Sequence, residues 1–114
     1  TGFPNLFCLY GPGTNLAHGG SLIFHSECQM RYVSGCLREI VDGGHRMMEP
    51  RQERLDDWHR RSQAELRNLV WSQPSVRHSY YKNSQGEIHV LSPWRIVDYW
   101  DWTREPDLGD YVLG

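Results

Sequence analysis

No stretch of this 114-residue sequence is apolar for long enough to cross a bilayer, and no charged-then-apolar leader opens it. A membrane helix and an export signal are therefore not expected, and a cytoplasmic setting is. Cysteine is scarce: Cys8, Cys28 and Cys36 are an odd count at unpatterned spacing, which excludes a disulfide framework and fits a reducing compartment. Neither sign of charge dominates. Twelve basic and 14 acidic residues leave a net charge of −2 with no long run of either, so nucleic acid and anionic membrane surfaces are not expected partners. Neither G-x-G-x-x-G nor G-x-x-x-x-G-K occurs, so the chain carries no dinucleotide fingerprint and no phosphate loop of its own. Internal repeats and low-complexity tracts are also missing. The sequence does not start with Met and opens directly on a strand pattern, from which a piece of a longer protein is expected; a processed terminus would read the same way.

What the chain does have is aromatic residues, five Trp and six Tyr among them, and a glycine-rich stretch near its start. Such aromatics need a core, an interface or a ligand to cover them. Asn5-Leu6-Phe7-Cys8-Leu9-Tyr10 is a short apolar run between Pro4 and a G-P-G turn, the pattern of a strand buried on both faces. Gly11, Pro12, Gly13, Gly19 and Gly20 then crowd ten positions, and periodic apolar residues resume at Leu22. A strand, a glycine loop and a helix start place free N–H groups and the positive end of a helix dipole together, where an anion or a polar heterocycle would sit well.

One helix is predicted over 20–42, with Leu22, Ser26, Met30, Val33, Leu37 and Ile40 on its core-facing stripe and Gly43-Gly44 as its stop. A short strand is expected near 47–53, interrupted by Pro50. A second helix follows over 55–69 with Leu55, Trp58, Ser62, Leu66 and Leu69 on one stripe. Asp56–Arg60 and Asp57–Arg61 have the spacing of solvated i,i+4 pairs. Residues 70–76 read as loop or edge because of Pro74, and 79–82 with 87–91 as a hairpin around Asn83-Ser84-Gln85-Gly86. Ser92-Pro93 should cap a third helix over 94–103 that buries Val97 and Trp100, with 110–114 a loose tail unless it docks. Three helices and scattered strands make an α+β chain. Residues 6–10 need sheet neighbours that it does not clearly supply.

Among chemistry-bearing residues, His18, His25, Glu27 and Cys28 invite a metal, with Cys36 and His45 as the other nearby donors. The paired spacing of a four-ligand zinc site is missing, so no metal is expected. Ser21 lies in G-G-S-L and not in G-x-S-x-G, so a hydrolase elbow is not matched. Asp56-Asp57 would face solvent, which gives no glycosidase pair. Trp94, Tyr99, Trp100 and Trp102 lack the interleaved cations of a single-strand-binding platform and read as core or interface. Tyr80 and Tyr81 read as strand aromatics on opposite faces.

The run G-F-P-N-L-F-C-L-Y-G-P-G-T-N-x-x-H-G-G-S-L-I-F-H-S-E-C-Q resembles the near-C-terminal segment of class B flavoprotein monooxygenases, with Baeyer–Villiger enzymes of the 4-hydroxyacetophenone monooxygenase type the nearest in kind. The later S-P-W-R-I-V-D-Y-W-x-x-T-R-E-P-D-L-x-D-Y is similar to that group's C-terminus. The resemblance implies a Rossmann-like α/β parent with two dinucleotide-binding domains, one for FAD and one for NADPH. NADPH would reduce the flavin, and oxygen would form a C4a-peroxyflavin that converts a ketone to an ester or oxidises a heteroatom. Carried over by position, Gly11 and Pro12 match the loop ending the last FAD-domain strand. Gly20, Ser21 and Leu22 match the helix start against the flavin's pyrimidine edge. Tyr80 falls where many relatives carry a Trp near the nicotinamide cofactor.

The family's two glycine fingerprints, its F-x-G-x-x-x-H signature and its active-site arginine belong to upstream sequence, and none occurs here. No catalytic residue is therefore expected in this chain, and the chain alone should be inactive. Residues 1–44 would end the FAD domain, and 45–114 would pack on the rest of the parent. The alternative is a stand-alone α+β interaction module that uses its aromatic C-terminal helix as a partner surface, with self-association covering the exposed strand.

Overall fold

The computed structural model describes residues 1–17, 19–77 and 79–114. It is an α+β chain. In order come β1 (Asn15–Leu16), α1 (Leu22–Asp42), β2 (Met48–Pro50), α2 (Gln52–Leu66), a 3-10 turn (Val70–Ser72), β3 (Leu91–Ser92), α3 (Ile96–Trp102), a second 3-10 turn (Leu108–Asp110) and β4 (Tyr111–Leu113). β1 pairs in parallel with β3, Asn15 opposite Leu91 and Leu16 opposite Ser92. β2 pairs antiparallel with β4, Met48 opposite Leu113 and Pro50 opposite Tyr111. Proline donates no ladder bond, and Pro50 ends its strand. The 110–114 segment is thus docked, as the last strand of a two-stranded sheet.

The limits of α1 follow from local chemistry. Ser21 is extended (φ −115°, ψ 124°) and its hydroxyl accepts the Phe24 N–H. At the other end a Cβ on Gly43 would lie 2.6 Å from the Glu39 carbonyl, and Gly44 turns with φ +67°. The buried face is unexpected. It carries His25, Cys28, Gln29 and Cys36, while Leu22, Met30 and Leu37, from the stripe predicted to be inside, are exposed. The sequence rule puts the more apolar side inward; here the chain supplies no layer to cover that side.

The run 5–10 is not a strand. Asn5 (φ 62°) and Tyr10 (φ 53°) both take left-handed backbone, which bends the segment at each end. Leu6 and Leu9 are exposed, and residues 6–9 join no strand among the described residues. Side chains tether the segment instead. Asn5 Nδ2 donates to Arg46 O (3.0 Å), Asn5 Oδ1 accepts from Met48 N (2.9 Å), and Gln29 Oε1 accepts from Tyr10 N (2.7 Å).

α2 starts three residues earlier than expected and places Leu66 with Ile88 and Leu91 in the principal core cluster. Asp57 pairs with both Arg60 and Arg61, whereas Asp56 accepts from Gln52, so only one of the two expected i,i+4 pairs forms. The hairpin reduces to one antiparallel bridge, Lys82 with Ile88, because Leu91–Ser92 is taken by β1. Its turn forms where expected: Asn83 Oδ1 accepts from Gln85 N (3.0 Å) and Glu87 N (2.9 Å), and Gly86 has φ +82°. Ser92 does not cap α3. It is buried in β3, the helix begins after Arg95, and Tyr99 is its buried residue while Val97 and Trp100 are exposed.

Arg31 ties α3 to α1. Its guanidinium donates to Trp100 O (2.7 Å) and Thr103 O (3.2 Å) at the C-terminal end of α3 and lies over the Trp100 ring. The radius of gyration is 15.4 Å, against about 13 Å for a compact chain of this length. The extents, 52 × 27 × 19 Å, are those of an elongated body with a thin interior.

Candidate functional site

The glycine stretch is held as two separate supports. In the first, Thr14 Oγ1 donates to Gly11 O (2.6 Å) and closes the G-P-G bend. Gly13 takes φ +74° and its N–H reaches His89 O (2.9 Å), while Asn15 N reaches Val90 O (2.9 Å). The bend therefore sits on residues 89–90, next to β3. A Cβ on Gly11 would come within 3.1 Å of Cys8 Sγ, so the absence of a side chain there serves packing. Pro12 and Gly13 border a cavity of about 240 Å³ whose other walls include Trp58, Ser62, Leu66 and Leu91.

The second support is the start of α1. Gly19, Gly20, Ser21 and Leu22 are all exposed, and a Cβ on Gly19 would meet open space. On Gly20 it would lie 3.1 Å from Ile96 Cδ1, so Gly20 lets the helix start approach α3. The leading N–H groups of a helix have no intrahelical acceptors; Ser21 Oγ satisfies that of Phe24 (3.3 Å), and no acidic side chain stands in the first turn. The result is an uncovered, positively polarised helix end that can donate to an anion or to a carbonyl-bearing ring edge.

Tyr80 stands apart from both supports. It is 86% exposed, edge-on to Tyr81, which in turn packs on Trp71. It borders an open cavity of about 370 Å³ with Arg77, Ser79, Lys82 and Asn83. That cavity is cationic at two positions, although Lys82 Nζ also donates to Val76 O (2.6 Å). The cavity beside Pro12 and Gly13 is bordered by none of Gly20, Ser21, Leu22 and Tyr80.

Behind the helix start lies a group whose setting spacing could not show. His25 is buried with both ring nitrogens lacking hydrogen-bond partners, stacked on Tyr99 at 3.7 Å and 25°. Burial lowers its pKa below the usual imidazole value. Gln29, one turn on, meets both Tyr10 N and the Tyr99 phenol. Further along the same face Tyr32 OH and Tyr111 OH lie 2.6 Å apart beside Cys36. Trp58, Trp94 and Trp102 form a second unforeseen cluster, with centroids 5.2–5.8 Å apart and Arg61 against two of the rings. The Trp58 stripe and the Trp94–Trp102 run were visible separately; their meeting depends on the α2–β3 packing.

Among the described residues no group of three or more His, Cys, Asp or Glu is arranged to hold a metal. His18, one of the metal candidates, lies outside them. The three cysteines are free, Cys8 exposed and Cys28 and Cys36 buried. No described helix is long and apolar enough to cross a membrane.

In sequence the chain is homologous to monooxygenases, Baeyer–Villiger enzymes among them, as its two ends led us to expect. It is 41% identical over 110 residues to an uncharacterised monooxygenase of Sinorhizobium fredii, covering 96% of this chain and 16% of that protein. It is 31% identical over 113 residues to a Baeyer–Villiger monooxygenase of Streptomyces coelicolor and 32% over 117 residues to one of Pseudomonas aeruginosa, covering 98% of this chain and 21% of each relative. The chain thus spans about a fifth or less of the length of the relatives it matches. No family model matches it, and no solved structure matches it.

Proposed function

We propose that this chain works as one part of a larger FAD- and NADPH-dependent monooxygenase, a Rossmann-like α/β flavoprotein with two dinucleotide-binding domains. That enzyme places one oxygen atom of O2 into a ketone, giving an ester, or onto a heteroatom. Residues 1–44 end the FAD domain, and 45–114 pack against the remainder of the enzyme. The chain alone is inactive in this reading, since the glycine fingerprints that hold such dinucleotides do not occur in it.

The observation that carries the reading is the uncovered start of α1 behind Gly19-Gly20, in a chain whose relatives are monooxygenases. When bound, the flavin supplies the redox and oxygen-activating chemistry. The chain's own residues bind and orient. Gly11, Pro12 and the N–H groups of the turn that begins at Leu22 would hold the flavin, and Ser21 fixes that turn. Gly20 keeps the helix end close to α3, so that its direction is set by packing. Tyr80, with Arg77 and Lys82 beside it, would hold the nicotinamide cofactor, whose phosphates suit a cationic cavity.

The test grafts this chain into the Sinorhizobium fredii relative in place of the matched stretch and measures bound FAD and NADPH-dependent conversion of an aryl ketone. Leu22→Glu places a carboxylate in the first turn, which favours the helix but opposes an acceptor edge. The expected result is an unchanged melting temperature in the isolated 114-residue chain, where Leu22 is exposed, and at least a tenfold loss of FAD affinity in the graft. Equal FAD affinity in both grafts would remove the site. Tight, stoichiometric FAD binding by the 114-residue chain alone would contradict its role as a part.

A further inference from the structure

The side of α1 turned away from the chain is more apolar than the side turned inward. At about 100° per residue, Ile23, Met30, Leu37 and Val41 fall within about 40° of one another, opposite His25, Tyr32 and Cys36. Their exposures are 75%, 48%, 49% and 74%. Leu22, Val33 and Ile40 extend the apolar strip along one flank to a width of about 100°, the width of a helix face that normally meets a core. Glu27, Arg31 and Arg38 bound it on the other flank. The N-terminal segment meets the flank of the strip at Val33: Leu6, Phe7 and Leu9 share with it a cavity of about 220 Å³ whose other walls include Gln29, Tyr32 and Tyr99 of the inward side. Leu6 is 69% exposed. A scattered leucine on a surface needs no explanation; a strip along more than five helical turns, broken only by Ser26, does.

We propose that this strip, with residues 6–9 beside it, is the face on which the chain docks against the body of a larger monooxygenase. The inference rests on the reading given above and names the surface that joins the two. The occupant is a core layer of that body and not a second copy of this chain. About four fifths of each matched relative has no counterpart here, which is ample polypeptide to supply such a layer. Two helices of a symmetric pair would cover the strip but leave the exposed Leu6 and Leu9 beside it uncovered. A larger body covers both.

The probe is the pair Met30→Lys and Leu37→Lys, compared in the 114-residue chain and in the graft described above. In the isolated chain both positions are half exposed, so the pair should leave the melting temperature within about 1 °C. In the graft it should lower it by about 5 °C or more, or abolish soluble yield. Val70→Lys, at an exposed position outside the strip, is the control and should change neither. If the graft itself is insoluble, the same pair is read at the aligned positions of the full-length relative. An unaffected graft or relative overturns the proposal. So does an isolated chain that sediments as a dimer and is dispersed to monomers by the same pair. Loss of stability on substitution in a graft that binds no FAD would keep the docking face and remove the cofactor reading, so the two failures are separable.

Discussion

The phenol oxygens of Tyr32 and Tyr111 lie 2.6 Å apart, joining the last strand of the chain to the middle of its longest helix. Burial, more than any neighbouring charge, raises both pKa values, that of Tyr32 to about 12. A phenol neutral in the folded state and ionised in the unfolded one penalises folding as pH rises. The pair therefore makes no pH-dependent contribution below about pH 10. Stability falls from about pH 10 as the unfolded chain loses protons first; the Tyr32 share of the decline ends near its folded value of about 12, while that of Tyr111, which is pushed up further, continues. Urea unfolding at pH 8, 10 and 11.5 should show that decline, and Tyr32→Phe should flatten it while costing about 1 kcal/mol at pH 8, where Tyr111 loses its partner. A pH-independent midpoint up to 11.5 would mean that the phenols are not shielded.

His25 works in the opposite pH range. Its folded pKa lies below the unfolded value of about 6.5 because burial penalises the imidazolium. The stability this neutral ring contributes is present above 6.5 and is lost as pH falls towards the folded pKa. His25→Phe keeps the stack on Tyr99 and removes two buried nitrogens that have no partner. The variant should be as stable as the parent, or more stable by about 1 kcal/mol, at pH 7.5. It should also lose less stability between pH 6.5 and 5. Destabilisation at pH 7.5 would show that the nitrogens are satisfied.

Close approach decides a third case. A Cβ on Gly35 would lie 2.9 Å from Pro106 Cδ, and a proline ring cannot swing aside. In an open helix Gly→Ala would stabilise by about 1 kcal/mol. Here overpacking, typically about 1–3 kcal/mol, should outweigh that gain, for a net loss of about 1 kcal/mol by urea midpoint. The double variant Gly35→Ala, Pro106→Ala should recover most of it. A stabilised single variant would mean that the 103–107 turn yields freely.

The sequence disclosed those parts of the fold whose causes are local. Gly43-Gly44 stops α1 as expected, and Asn83 with Gly86 makes its turn by hydrogen bonds within five residues; the Ser21 cap, which starts the helix at Leu22 and not at residue 20, was not foreseen. Where partners are distant, local pattern misled. Ser92 has the look of a helix cap but is taken by Leu16 from the other end of the chain. Tyr111–Leu113 has no strand signature until Met48–Pro50 is placed beside it. Of the α1 strip, Ile23 and Val41 were left out, while Leu22, Met30, Val33, Leu37 and Ile40 were read as one apolar stripe and assigned to a core that these residues do not build. The same holds for the run 5–10. As for the site, the helix start was legible because two glycines precede the return of apolar periodicity at Leu22, whereas the stacking of His25 on Tyr99 required knowing that α3 crosses α1.

Gln29 offers the sharpest test of how the glycine bend is held. It is 8% exposed, and its Oε1 accepts the N–H of Tyr10, just before the bend, at 2.7 Å. Asn5 independently fixes the beginning of the same segment through bonds to Arg46 and Met48. Gln29→Met preserves volume and helix propensity but removes the acceptor, leaving Tyr10 N–H unpaired at a cost of about 1–2 kcal/mol. Since 1.4 kcal/mol is a factor of ten, amide exchange across residues 6–12 should accelerate about tenfold. Met48 N–H, held by Asn5, should keep its protection, as should the amides in the middle of α1. A uniform loss of protection would assign Gln29 to the core as a whole; unchanged exchange at 6–12 would show that the bend is positioned by its own bonds to residues 89–90.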